Sequence, residues 1–272
     1  MSEEPSPEDD LQLIVDAARA AGRLALDHAA TGIDKWEKSP GNPVTAADMA
    51  IDKQLHETLL TARPAYGWLS EERADDDARL DCDRAFLVDP IDGTRDYARG
   101  RPGWCVSIAI VEAGRPTVAV LYAPVPNTLY TATVGSGAFR NGERIGVSDV
   151  ADLADARMCV DADVFRSKFW KGPTCAAVPK PNSIALRMAR IAEGEADALF
   201  DGRPSRELDV AASVLILTEA GGVVSDTEGE VPRFNKPIPT ERNLIAAASP
   251  ELLAATRVEA KAMLERWVAS KR

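Results

Sequence analysis

Near residue 64 the hydrophobic pattern of this chain changes period, and that change limits the fold more than any other feature. Up to there, apolar residues recur at helical spacing: Leu11, Ile14, Val15, Ala18, Gly22 and Ala25, then Met49, Ile51, Leu55, Leu59 and Leu60. Each run opens on a capping box. Ser6-Pro7-Glu8-Asp9 sets a serine before a proline and an acid, and Thr45-Ala46-Ala47-Asp48 repeats the device. The spacing predicts helices from about residue 6 to 30 and from 45 to 63. The segment 32–43 is rich in Gly, Pro, Ser and Asn, which predicts a loop.

From residue 66 the runs become short and apolar or alternating, at 66–69, 85–89, 104–111, 117–122 and 129–133. Gly114-Arg115-Pro116, residues 124–127 and residues 135–137 separate them, and Asn141-Gly142 is a tight-turn signal. This pattern predicts an antiparallel sheet beside the two helices. After residue 150 strands and helices alternate, with strands at 158–161, 176–178, 196–200, 223–225 and 243–248. Helices are expected near 183–193, at 208–220 and from Pro250 onward. The expected class is therefore α/β in content and α+β in arrangement. The expected organisation is an acidic disordered tail (1–10), an α+β subdomain (11–150) and an α/β subdomain (151–272).

The 272 residues suffice for one large or two closely packed domains, and 45% hydrophobic residues support a full core. A net charge of −11 argues against nucleic-acid polymers and anionic membranes as partners. An anionic substrate would then need a metal or local arginines to attract it. Cys82, Cys105, Cys159 and Cys175 show no metal-type spacing and read as reduced structural thiols. The acidic N-terminus lacks the features of a signal peptide, and no apolar stretch is long enough for a span, so the expected setting is the cytoplasm.

The apolar run Phe86-Leu87-Val88 ends in Asp89-Pro90-Ile91-Asp92-Gly93-Thr94. Two carboxylates this close repel each other unless a cation lies between them. Magnesium takes oxygen ligands, commonly a few carboxylates with water and substrate phosphate. Both acids and the Ile91 carbonyl can join such a shell, while Gly93 permits close approach and the Gly93 and Thr94 N–H groups can cradle an anion. The competing explanation is an acidic Asp-Gly turn. Its place after the most apolar stretch of this region favours the metal. Glu71, after Trp68-Leu69-Ser70, Asp48 in its capping box and Asp209 at a helix start are in comparable settings. Taken singly, each of these three is better explained by structure, and periodicity cannot bring the four places together.

Four motifs resemble the inositol monophosphatase family of Mg²⁺-dependent, lithium-sensitive phosphatases. They are Gly41-Asn42-Pro43-Val44-Thr45-Ala46-Ala47-Asp48, Leu69-Ser70-Glu71-Glu72, Val88-Asp89-Pro90-Ile91-Asp92-Gly93-Thr94, and Leu208-Asp209-Val210-Ala211-Ala212 followed by Glu219-Ala220-Gly221-Gly222. The resemblance implies a layered αβαβα sandwich of the inositol monophosphatase and fructose-1,6-bisphosphatase type. It implies that Glu71, Asp89, the Ile91 carbonyl, Asp92 and Asp209 ligate two or three Mg²⁺ ions. Asp48 and Thr94, with Glu71, would activate the attacking water, and Asp92, Gly93, Thr94, Ser183, Asp201, Arg206 and Asp209 would contact the substrate. The chain departs from the family at Leu208, where tryptophan is usual, and at Asn182, where glycine is common.

Within the family, Asp92-Gly93-Thr94-Arg95-Asp96-Tyr97 and Pro204-Ser205-Arg206-Glu207-Leu208-Asp209 resemble the 3′(2′),5′-bisphosphate nucleotidase (CysQ) branch. That likeness implies hydrolysis of the 3′-phosphate of 3′-phosphoadenosine 5′-phosphate by a monomer or homodimer. The alternative is an inositol monophosphatase, for which Asp201 could meet the inositol hydroxyls. Arg95, Lys180, Arg187, Arg203 and Arg206 are candidates for a second phosphate. His28 and His56 read as structural. A catalytically silent metal- or nucleotide-binding member would not need the water-activating pair. An aspartyl-phosphate route would want D-x-D where this chain has D-x-x-D.

Overall fold

A computed structural model describes residues 5–32, 35–39, 42–75, 77–241 and 243–271. Helix α1 (Pro7–Thr31) starts at the first capping box, where Ser6 Oγ accepts the Asp9 N–H at 3.1 Å. A hairpin follows, β1 (Lys35–Ser39) paired antiparallel with β2 (Asn42–Thr45), and then α2 (Ala46–Ala62). Two expectations are corrected here. The segment 32–43 contains a strand pair where a loop was expected, because its turn-forming composition marks the bend and cannot show that the flanking backbones pair. The disordered tail cannot extend to residue 10. Residues 7–10 form the first turn of α1, and buried Asp10 accepts hydrogen bonds from Arg63 Nε and Tyr66 Oη, both at 2.7 Å. Residues 1–4, and Gly41 of the second-helix motif, lie outside the described residues.

The large sheet has seven strands in sequence order. They are β3 (Gly67–Ser70), β4 (Arg84–Asp92), β5 (Cys105–Glu112), β6 (Arg115–Ala123), β7 (Thr128–Thr133), β8 (Gly137–Arg140) and β9 (Glu143–Arg144). All neighbours are antiparallel except β3 and β4, which run parallel. Period-two alternation divides the side chains. Phe86, Val88, Ile108, Ile110, Val118 and Val120 pack with Ile14, Ile51, Leu55 and Leu59 of α1 and α2. Leu87, Ala109, Ala119 and Leu121 face the other way. Burial on both faces explains the near-continuous apolar runs. The turn signals at 135–142 belong to a hairpin that adds β8 and β9 to the sheet.

A short helix, α3 (Thr94–Tyr97), joins β4 to β5. The second half contains β10 (Arg157–Met158), α4 (Asp163–Arg166), β11 (Ala176–Ala177), α5 (Ile184–Ala192), β12 (Ala198–Phe200) and β13 (Ser205–Arg206). It continues with α6 (Glu207–Glu219), β14 (Val223–Ser225), β15 (Thr240–Glu241), β16 (Ile245–Ala247) and α7 (Pro250–Ala269). The five-stranded sheet is ordered β11-β10-β12-β16-β14. Helices α5 and α6 lie between the two sheets: Met188, Ala189, Ala211, Leu215 and Ile216 share one cluster with Leu87 and Leu121 on one side and Leu199 and Ala246 on the other. This sandwiching explains why α6 is apolar all round, with every residue from Val210 to Leu217 buried. Leu252 of α7 covers the outer face of the second sheet with Met158, Ala198 and Ala247. The layers run α1/α2, sheet, α5/α6, sheet, α7, which is the expected αβαβα sandwich. The change of sheet falls between Arg144 and Arg157, yet the largest core cluster runs from Leu69 to Ala248 across it. The four cysteines are free thiols, and no helix among the described residues is long and apolar enough to cross a membrane.

Asp197 ties the second sheet to the linking segment. Fully buried, it accepts hydrogen bonds from Ser148 Oγ at 2.6 Å, Arg157 Nη2 at 2.6 Å and the Arg157 N–H at 2.7 Å. Burial alone would raise its carboxyl, but the Arg157 and Ser148 bonds outweigh burial and hold it below the usual carboxylate value. Its contribution is therefore complete above the unfolded value of about 4 and is lost as the pH falls through the lower folded value. Asp197→Asn should cost roughly 2–3 kcal/mol at pH 7. Urea unfolding of both proteins between pH 7 and pH 2.5 measures this, and the gap should close in acid. A gap that stays constant with pH would contradict the assignment.

Candidate metal centre

In a regular strand, residues three apart point to opposite faces. Asp89 and Asp92 escape this rule through a bulge. Asp89 pairs with Ser107 and Asp92 with Cys105, so three steps on β4 oppose two on β5. Ser107 and Cys105 share a face, and both acids are thereby brought to that face, the one turned toward α5 and α6. Pro90, with no N–H to give the ladder, sits inside the bulge, and Asp89 Oδ1 accepts the Ile91 N–H at 3.0 Å. Gly93 then turns the chain at φ +98°, where a Cβ would stand 2.6 Å from the Gly103 carbonyl oxygen. No other residue fits this turn without displacing backbone.

The remaining acids arrive from three other segments. Glu71 follows the end of β3, and Arg206 Nη1 lies 3.7 Å from it. Asp209, in the first turn of α6, accepts the Arg206 N–H on Oδ2 at 2.9 Å. Asp48 closes the capping box of α2, with Oδ2 accepting the Thr45 N–H at 2.8 Å and Thr45 Oγ1 at 2.5 Å. Its Oδ1 stands 3.4 Å from Thr94 Oγ1, which lies 3.0 Å from the Ile91 carbonyl. Capping and a place beside Thr94 are thus combined in one carboxylate, with one oxygen for each.

Glu71, Asp89, Ile91, Asp92, Gly93, Thr94 and Asp209 all line one cleft of about 310 Å³. Arg95, Asn182, Arg187, Asp201, Arg203 and Arg206 form its rim. Among the described residues, no three Asp, Glu, His or Cys side chains are drawn up tightly enough to hold an ion by themselves. The carboxylates instead stand around an open space, with Asp89, Asp92 and Asp209 each pinned through one oxygen. Asp89 Oδ2 and Asp209 Oδ1 accept no hydrogen bond among the described residues.

The charges are poorly compensated. Burial, followed by the charges of Glu71, Asp92, Asp209 and Asp48, pushes the Asp89 carboxyl well above its usual value. Burial and then the Asp92 charge push Asp209 up to about 8. Asp92 rises to about 6, mainly through burial, with Ser183, Ala185 and Arg187 holding it down. Burial also raises Asp48, against the Thr45 bonds. Hard oxygen donors, carboxylate oxygens that accept no hydrogen bond and excess negative charge together fit a divalent cation that keeps water and substrate among its ligands.

Several other candidates are placed differently. Ser183 is fully buried beneath Asp92 and donates its hydroxyl to Asp92 Oδ2, so its side chain does not reach the cleft wall. Arg187 is 5% exposed and donates to the Pro181 and Asn182 carbonyls, both at 2.8 Å, and to Asp201 at 3.2 Å. Arg203 also pairs with Asp201 at 3.3 Å, and Lys180 pairs with Asp161 beside an adjoining cavity. His28 ends α1, and His56 packs edge-on against Trp68, both away from the cleft. Two contributors carried no local signal. Glu207, fully buried, accepts the Asn235 N–H and fixes the start of α6. Asp96, in a run of charged residues, accepts the Asn182 N–H at 3.0 Å.

Comparison with known proteins agrees with this geometry. The model of the inositol monophosphatase family matches residues 7–263. The Xylella fastidiosa protein named Nus factor SuhB is 35% identical over 261 residues, 87% of this chain and 89% of its own length. The inositol monophosphatase of Dictyostelium discoideum is 35% identical over 233 residues, 80% of this chain and 85% of that protein. Among solved structures, the Thermotoga maritima IMPase superposes with a TM-score of 0.78 at 29% identity, over 94% of this chain and 97% of that one. With acids from three of the four motifs lining one cleft on a matching fold, the chain belongs to the inositol monophosphatase family.

Proposed function

We propose that the protein is a Mg²⁺-dependent phosphomonoesterase acting on inositol monophosphate or a closely related sugar phosphate. The observation that carries this reading is the convergence of Glu71, Asp89, Asp92 and Asp209, from distant segments, on one cleft. When bound there by these acids and the Ile91 carbonyl, Mg²⁺ supplies positive charge for the phosphoryl oxygens and acidifies water. The chain's own residues manage the proton. A water in contact with Thr94 gives its proton through the Thr94 hydroxyl toward Asp48 Oδ1, 3.4 Å away. Burial raises the Asp48 carboxyl and so makes it a better acceptor. Water attacks phosphorus, the ester P–O bond breaks, and the alcohol leaves with a proton from solvent.

The motif wording led to 3′-phosphoadenosine 5′-phosphate as the expected substrate, but the inositol ester now has the better support. The Dictyostelium discoideum relative and the Mesorhizobium japonicum relative, 34% identical over 230 residues, both carry the inositol monophosphatase name. Asp201 stands on the rim, oriented by Arg187 and Arg203, as an acceptor for sugar hydroxyls. Arg187, Arg203, Arg206 and Lys180 are each paired with an acid already, so a second phosphate would have to displace a carboxylate.

Three outcomes test the proposal. Phosphate release from inositol 1-phosphate should exceed that from 3′-phosphoadenosine 5′-phosphate in kcat/KM, and the reverse order would restore the nucleotidase. Asp92→Asn should lower kcat/KM by about 10²–10³-fold, and EDTA should abolish turnover; activity that survives both would remove the metal mechanism. The third outcome concerns stability. The metal-free folded protein binds protons on Asp209 (up to about 8) and Asp92 (about 6) more readily than the unfolded chain, whose carboxyls titrate near about 4. Its stability therefore falls as the pH rises across that window. Mg²⁺ should raise Tm more at pH 8 than at pH 6 in thermal melts, whereas an equal gain at both would argue against the acids as its ligands.

A further inference from the structure

Two hydrogen bonds reach Asp92 from the start of α5, and both land on one oxygen. Ser183 Oγ donates to Oδ2 at 2.5 Å, and the Ala185 N–H donates to it at 2.9 Å. Ser183 Oγ also accepts the Leu186 N–H at 2.9 Å, which makes it the cap of α5. A hydroxyl has one proton. With that proton committed to Asp92 and the side chain fully buried, Ser183 has no donor left for a substrate.

The turn carrying Ser183 is fastened on every side. Asp96 Oδ2 accepts the Asn182 N–H at 3.0 Å, and the Ser183 N–H donates to the Gly103 carbonyl at 3.1 Å. Arg187 ties down the Pro181 and Asn182 carbonyls. A Cβ at 103 would stand 2.0 Å from Asp96 Oδ2, so a side chain there would push that carboxylate off the Asn182 N–H. Residues 92–96 and 181–185 are thus locked together through Gly103, with Ser183 and Asp92 at the centre.

We infer that Ser183 is a positioning residue for the cation and not a substrate contact. Its hydrogen bond holds Asp92 in one rotamer, with Oδ1 left as the oxygen available to the cleft. A carboxylate held in advance loses less freedom when it binds an ion, and partners that orient metal ligands are typically worth about 10–100-fold in metal affinity. The inference rests on the metal-dependent reading above, and its test separates the two.

Mg²⁺ is titrated calorimetrically into the full-length wild type, Ser183→Ala and Ser183→Thr without substrate, and inositol 1-phosphate kinetics follow at several Mg²⁺ concentrations. Ser183→Ala should weaken Mg²⁺ binding about 10-fold or more, with kcat recovering at saturating Mg²⁺ and KM for the ester unchanged. Ser183→Thr, which keeps the hydroxyl, should bind Mg²⁺ as the wild type does. Asp96→Ala, which loosens the turn from outside, should weaken Mg²⁺ binding several-fold and decides the matter if Ser183→Ala does not fold. Wild-type Mg²⁺ affinity in Ser183→Ala, with or without a raised KM, overturns the inference and leaves the phosphatase reading standing. A wild-type protein that binds no Mg²⁺ overturns both.

Discussion

Mutual repulsion among buried carboxylates is the constraint around which this molecule is arranged. Asp89, Asp92 and Asp209 share one cleft with Glu71, in a chain that already carries a net charge of −11. Removing such charges from water costs several kcal/mol each unless something compensates. Arg206 and Arg187 do only part of this. Arg206, half-exposed, lies 3.7 Å from Glu71, and Arg187 is engaged mainly with backbone carbonyls and Asp201. The burden falls on the scaffold, which holds Asp89, Asp92 and Asp209 by one oxygen each against the repulsion and leaves a field that a cation would neutralise.

That scaffold is drawn from three of the five layers. The bulge in β4 brings two acids to one face, and the helices between the sheets supply the other parts on that face. Helix α6 contributes Asp209 from its first turn, where an acid also complements the helix dipole. Helix α5 contributes the cap that grips Asp92. Helix α2, on the opposite side of the sheet, delivers Asp48 past the strand end to Thr94. Because α5 and α6 are buried between two sheets, the termini they present to the cleft cannot shift without disturbing the largest core cluster. The acids are therefore preorganised by apolar packing remote from them.

Much of this could be read locally. The two capping boxes gave the starts of α1 and α2, and alternation gave the strands from β4 to β7 with their ends nearly right. The hairpin β1/β2 and the β8/β9 extension escaped notice, because glycine- and asparagine-rich text marks a turn without saying whether its flanks pair. Arg187 was taken for a candidate phosphate ligand, since a sequence shows a positive charge but not the Pro181 and Asn182 carbonyls that consume it. Ser183 stood at the start of an expected helix and was taken for a substrate contact. Its bond to Asp92 spans 91 positions, and no window of neighbouring residues contains that information.

The sequence by itself marked Asp89 and Asp92 as a repelling pair after an apolar run, and its resemblance to the family singled out Asp48, Glu71, Thr94 and Asp209 beside them. Taken singly, an acid at a strand end or a helix start has a structural explanation. Only the tertiary structure decided where those groups point. An i, i+3 pair on a regular strand diverges, and the register slip against Ser107 and Cys105 turns Asp89 and Asp92 to one face. Backbone pairing between strands sets that slip, and pairing depends on contacts between segments that a linear pattern does not encode.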